Sequence, residues 1–275
     1  MSESQKVAVE TFRRLHAGGC FVLPNPWDVG SAVYLRHLGF KALATTSSGW
    51  AFTKGLLDDA PTIDDVLAHF RDIVQATPLP VNADFRQGYA DEPQAVAENV
   101  ARCVATGVAG LSIEDSTGNA ETPLYDKQLA VERIKAARRA IDASGTPVVL
   151  TGRCEVFLMR DPNAFPIALE RLAAYAGAGA DCLYAPGVTD LSQIEAIVKT
   201  VAPKPVNVLV SRPDPKLTLS ALTDLGVRRI SVGSALARVA WGAFMRAAQS
   251  IATTGTFDSL GEGAAFAELT DVFKK

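Results

Sequence analysis

Asn82 and Asp84 stand two apart at the end of the run 80-PVNAD-84, and residues two apart on a strand share a face. Glu114 closes the next such run, 110-GLSIE-114, and Asp58 follows the run before. If these runs are neighbouring strands, Asp84 and Glu114 meet at one mouth with Asp58 close by. Clustered carboxylates repel one another and lose hydration, so a proton or a cation must accompany them. Hard oxygen ligands without cysteine or histidine suit Mg²⁺ or Mn²⁺. The plainer alternative is that the acids cap helices or pair with Arg86 or Arg153.

Two further groups suit an anionic substrate. Thr46-Ser47-Ser48-Gly49 offers hydroxyls and successive backbone N–H groups for a carboxylate or enolate oxygen, although such a stretch also makes a simple turn. Arg153 offers a planar fork of donors for a carboxylate, or an ion pair with a neighbouring acid. Asn207 lies on a later strand, and Tyr184, Ser211 and Arg212 fall near the same face, within reach of a distal carboxylate.

The rest of the chain must position these groups. Its 275 residues are 48% hydrophobic and 21% charged, enough apolar mass for a large core. A net charge of −3 without a basic block gives no footprint for nucleic acid. The first residues lack the apolar stretch of a signal peptide, and no run reaches membrane-spanning length, which reads as a cytoplasmic protein. Cys20, Cys103, Cys154 and Cys182 are scattered without a CxxC pair, so neither a disulfide framework nor a zinc site is expected.

Short apolar runs alternate with amphipathic stretches. The spacing predicts strands at 20–24, 41–46, 80–84, 110–114, 147–153, 181–185, 205–210 and 229–233. It predicts helices at 29–38, 62–75, 91–107, 126–144, 163–178, 190–200, 217–225 and 234–252. Thr62, Asp91 before Pro93, and Asp161 before Pro162 read as helix starts. Gly39, Gly107, Gly179 and Gly226 each separate a helix from the next strand, where a left-handed residue is wanted. Eight such units, with a helix at 4–17 in front and a tail at 256–274, predict one α/β domain, a (β/α)₈ TIM-type barrel with core 20–252. An open doubly wound sheet is the alternative. Active-site groups of such a barrel lie at the strand C-termini, where the polar residues above fall.

In order, LPNPWDVGSA, TTSSGWAFTKGLLDD, VNADFRQGY, GLSIEDSTG, GRCEVF and VNVLV make the chain similar to the isocitrate lyase/phosphoenolpyruvate mutase superfamily over residues 20–240. The resemblance implies a Mg²⁺-dependent barrel acting on 2-oxo acids through an enolate. It also implies a homotetramer, a dimer of dimers exchanging the eighth helix, here 234–252 with Trp241, Phe244 and Met245. It assigns Thr46, Ser47 and Ser48 to the loop binding carboxylate and enolate oxygens, and Arg153 to clamping the substrate. Asp58, Asp84 and Glu114 become metal carboxylates, Glu114 largely through water, and Asn82 replaces the first acid of a D-x-D motif.

The loop after the fourth strand, DSTGNAETPLYDKQLAVERI, lacks the K-[KR]-C-G-H segment of the lyases and the EDKxFPK-like segment of the phosphonate enzymes; Thr117 and Asn119 are its nearest polar candidates. Cys154 reads as a packing residue. The expected function is cleavage or decarboxylation of a small 2-oxo acid such as oxaloacetate. The alternatives are P–C bond mutase or hydrolase chemistry, a 2-oxo-acid binding protein, and a phosphosugar barrel using SVGSAL as a phosphate cradle. No lysine ends a strand to form a Schiff base, and His16, His37 and His69 all fall on helices.

Overall fold

The computed structural model describes residues 2–274. Helix α1 (Glu3–Ala17) precedes eight parallel strands: β1 (Phe21–Leu23), β2 (Leu43–Ala44), β3 (Val81–Asp84), β4 (Gly110–Glu114), β5 (Val149–Arg153), β6 (Cys182–Tyr184), β7 (Val206–Leu209) and β8 (Arg229–Ser231). Between them run α2 (Val29–His37), α3 (Ser47–Thr53), α4 (Ile63–Ala76), α5 (Pro93–Val104), α6 (Lys127–Ala143), α7 (Ala164–Gly177), α8 (Leu191–Val201) and α9 (Leu219–Asp224). Helix α10 (Ala235–Thr254) and, beyond a 3₁₀ turn, α11 (Phe266–Phe273) follow β8.

All neighbouring strands are parallel, in the order β1-β8-β7-β6-β5-β4-β3-β2, the TIM-type barrel expected and not the open sheet. The ladder is interrupted only between β1 and β2. There the seam is closed by the Ala44 N–H donating to the Pro24 carbonyl and by Asn25. The Asn25 Oδ1 accepts from Val232 N and Gly233 N (3.0 and 2.9 Å), while its Nδ2 donates to Thr45 O (2.9 Å). One buried amide thus ties the ends of three strands together.

Apolar strand residues pack outward under the helices, as in Val81, Ala83, Leu111, Ile113, Leu150, Leu183 and Val208. The four glycines expected after helices all have positive φ, 85°, 99°, 105° and 86° at Gly39, Gly107, Gly179 and Gly226. Thr62 caps α4 as predicted, in a reciprocal pair with Asp65. Helix α5 instead begins after Glu92, and α7 after Asn163, neither with a side-chain cap bond. The main difference is α3, since 46–49 reads as a turn yet opens a helix capped by the Thr46 hydroxyl, which accepts from Gly49 N. Gly49 suits the contact: a Cβ there would lie 2.6 Å from Thr46 Cγ2 and 3.1 Å from the Ala237 Cβ.

Helix α1 stops the N-terminal end of the barrel. Its Gln5 Nε2 donates to the carbonyls of Val104 and Val108, and Phe12 is fully buried against Gly110, where a Cβ would come within 2.7 Å of its ring. At the other extreme, α10 buries only Ala237; Val239, Phe244 and Met245 are 60–70% exposed, and Trp241 packs edge-on to Phe244. Helix α11 returns to pack beside α2, with Phe273 near Gly30. Among the described residues, no helix is long and apolar enough to cross a membrane, and all four cysteines are free thiols.

Candidate active site

At the C-terminal ends of the strands a polar cavity of about 190 Å³ opens. That is a few water volumes at about 30 Å³ each, the scale of a small acid. Its walls include Thr46, Ser47, Ser48, Asp58, Asn82, Asp84, Arg153, Tyr184 and Asn207, so nine of the ten predicted site residues converge there. Ser211 also reaches the cavity, whereas Arg212 lies on the adjoining surface beside Pro213 and Val239. Glu114 stands behind Arg153, buried beside Asp115 and Ile134.

Asp84 is held on both oxygens. Oδ2 accepts from the Ser47 backbone N–H (3.0 Å) and hydroxyl (3.1 Å), and Oδ1 accepts from Arg153 Nη1 (3.1 Å). The Ser47 N–H is thereby committed to the carboxylate rather than to a substrate oxygen. The backbone at Asp84 is fixed as well, its N–H donating to the Thr45 hydroxyl. These bonds lock the start of α3 to the end of β3.

Arg153 is the hub of the acids. Its Nη1 also reaches Glu114 (3.2 Å), and its Nε donates to Glu155. The ion pair weighed as the plainer reading is therefore present. Nη2, however, makes no hydrogen bond among the described residues, and the guanidinium carbon of this cavity-lining arginine lies 5.3 Å from the centre of the Tyr184 ring. Burial pushes the Glu114 carboxyl up to about 8 against the opposing pull of Arg153, with Glu155 and Asp84 adding to the rise. Burial raises Glu155 in the same way.

Among the described residues, two side chains that line the cavity carry a buried oxygen without a hydrogen bond, Asp58 Oδ1 and Asn82 Oδ1, the latter packed against Gly110, where a Cβ would come within 2.8 Å of it. Orphaned acceptors are costly in a folded protein. With Asp84, these residues offer side-chain oxygens of the chemistry that a hard divalent cation takes. No group of three His, Cys, Asp or Glu side chains stands at metal-holding spacing among the described residues, so a cation here would draw on Asn82, hydroxyls or water beside the carboxylates.

Other readings change. The Val232 and Gly233 amides of the SVGSAL turn are taken by Asn25, which withdraws two of the donors that a phosphate cradle of a phosphosugar barrel would use. Thr117 and Asn119 bond to each other in a small hairpin closed by a Ser116–Leu124 bridge and do not line the cavity. Cys154 is fully buried, as expected of a packing residue, and burial pushes its thiol up.

Sequence reasoning overlooked the support behind the site. Asp115 Oδ1 accepts from the Glu155 N–H (2.8 Å), and Oδ2 accepts from Arg171 Nη1 (3.1 Å) and the Tyr175 hydroxyl (2.6 Å). This fixes Glu155, and through it Arg153. Arg171 and Tyr175, four apart on α7, were the available signal, since that spacing puts both on one helix face.

Known proteins with this architecture bear on the site's lineage. A crystal structure of a Burkholderia cenocepacia protein, provisionally described as a lyase/mutase, superposes with a TM-score of 0.95 at 44% identity, covering 100% of this chain and 98% of that one. Among relatives with a named activity, the 2-methylisocitrate lyase of Salmonella typhimurium is 32% identical over 61% of this chain and 60% of its own. The oxaloacetate decarboxylase of Rhodopseudomonas palustris is 31% identical over 62% of this chain and 57% of its own. The phosphoenolpyruvate phosphomutase family model matches residues 12–252, and the chain belongs to that family, within the isocitrate lyase/phosphoenolpyruvate mutase superfamily.

Proposed function

We propose that the protein is a Mg²⁺-dependent enzyme that breaks a C–C bond of a small 2-oxo dicarboxylic acid through an enolate, with oxaloacetate decarboxylation the favoured reaction. One observation carries this reading: Arg153 lines a small polar cavity, is held there by Asp84, Glu114 and Glu155 through Nη1 and Nε, and has an Nη2 without a hydrogen bond among the described residues. Asp84, Asp58 and Asn82 would hold Mg²⁺ or Mn²⁺, with Glu114 behind them. The cation would supply positive charge that draws electrons from the bond being broken.

The chain's own groups supply the rest. Arg153 Nη2 donates to the substrate carboxylate and fixes its plane. The hydroxyls of Thr46 and Ser48, both lining the cavity, donate to the oxygen that gains charge as the enolate forms, while the Ser47 donors hold Asp84 in place. The Tyr184 ring backs the guanidinium, and Asn207 faces the far end of the substrate. Decarboxylation suits this set because the departing CO₂ carries no proton, so no general base is needed for the cleavage.

The proposal extends to assembly and location. The exposed apolar face of α10 fits the exchanged helix of a homotetramer, and four free thiols fit a reducing cytoplasm. The test is a screen of oxaloacetate, pyruvate and 2-oxoglutarate with the purified protein, with and without Mg²⁺. Metal-dependent conversion of oxaloacetate to pyruvate is expected. Neither turnover nor binding of any of the three would overturn the reading, and binding without turnover would make the protein a 2-oxo-acid receptor. Turnover of phosphonopyruvate instead would assign it to P–C chemistry.

A further inference from the structure

Below the acids the barrel interior stays polar, and its deepest charge is Arg229 at the start of β8, 2% exposed yet lining the cavity. Its recorded hydrogen bonds go to neutral acceptors: Nε to Asn207 Oδ1 (2.9 Å), Nη2 to the Thr151 hydroxyl (3.0 Å) and Nη1 to His16 Nε2 (3.3 Å). His16 can accept there because its Nδ1 faces the Phe12 carbonyl (2.7 Å) and so carries the proton. Among the described residues Arg229 has no carboxylate partner within 4.0 Å, unlike Arg153 with its three. A buried cation without a counter-ion is expensive, and the structure assigns it a use.

A guanidinium has donors and no acceptor. The side of the Asn207 amide that faces Arg229 must therefore be its oxygen, and Nδ2 must face away, where one hydrogen goes to the Ser231 hydroxyl (2.9 Å). The second Nδ2 hydrogen is left for the cavity that Asn207 and Ser231 both line. We propose that Arg229 is a positioning residue: it locks the Asn207 amide as a donor, so that Asn207 recognises the second carboxylate of a dicarboxylic 2-oxo acid. With the amide turned over, an oxygen would face that carboxylate and repel it.

This inference rests on the proposed function. Its test compares oxaloacetate, with two carboxylates, and pyruvate, with one, in the presence of Mg²⁺. Dissociation constants by calorimetry, and KM and kcat where there is turnover, are measured for wild type, R229M, N207A and the double variant. R229M is expected to weaken oxaloacetate about tenfold, the worth of one directed hydrogen bond, with pyruvate affinity little changed. In the N207A background R229M should add nothing, because its effect runs through Asn207. R229K, which keeps a donor, should recover part of the loss and serves as the folded alternative if R229M does not fold. Equal weakening of both acids, or additive effects in the double variant, would overturn the positioning role. If wild type binds both acids and R229M binds them identically, this inference alone falls; if wild type binds neither, the proposed function falls and takes it along.

Discussion

Arg153 Nη1 donates to Asp84 Oδ1 over 3.1 Å, joining the end of β5 to the end of β3 across the mouth of the barrel. The same nitrogen reaches Glu114, so one guanidinium holds together carboxylates that would otherwise repel. Removing the arginine therefore affects stability as well as activity. Arg153→Met should lower stability by about 3–5 kcal/mol, the cost of stranding buried charges, and abolish turnover. Chemical denaturation and an oxaloacetate assay check the two separately; unchanged stability would mean that the acids do not depend on it.

Asp84→Ala removes the acceptor that Ser47 and Arg153 share. Turnover should be lost, and calorimetry should show Mg²⁺ binding at least about tenfold weaker, given the dependence of affinity on ligand charge. Chelation of the metal from the wild-type enzyme should abolish turnover reversibly, with Mg²⁺ or Mn²⁺ restoring it.

Asn82→Asp puts an acid where Asn82 now has an unpartnered Oδ1. The added charge should tighten Mg²⁺ binding by on the order of tenfold. A titration showing equal or weaker affinity would indicate that Asn82 does not face the cation.

Asn25→Leu strips the partners from Val232 N, Gly233 N and Thr45 O at the seam between β1 and β2. Each stranded group costs about 1–3 kcal/mol. The variant should melt well below wild type, and hydrogen exchange should speed up first at the ends of β1, β2 and β8.

The fold was legible because apolar runs covered on both sides, and glycines after helices, recur along the chain with regular spacing. Nine predicted residues reached the cavity because a parallel barrel sends every strand end to one face. What stayed hidden depends on side chains far apart in sequence. Nothing near Asp115 announces that it bonds Arg171 and Tyr175, and nothing near Asn25 announces that it meets Gly233. Helix α3 was obscured by Thr46-Ser47-Ser48-Gly49, residues that favour turns and helix caps alike.

His69 is buried against Trp50, with ring centres 4.8 Å apart, and burial lowers its pKa from 6.5 to about 4. The unfolded chain binds this proton more readily, so the stability is fully present above pH 6.5. It declines as pH falls from 6.5 towards 4, by about 3 kcal/mol at about 1.4 kcal/mol per unit. The difference in unfolding free energy between wild type and His69→Phe, followed across that range, should carry this slope; a flat difference would show that His69 titrates normally.

Helix α1 leaves the barrel with a single door. Phe12 sits under Gly110 and Gln5 is bonded to the carbonyls around it, so nothing passes through the lower end. Whatever enters by the mouth of the barrel must leave by it. Traffic is single-file: a spent molecule has to clear the threshold before a fresh one can descend, and a lingering product competes with the next substrate for the same doorway.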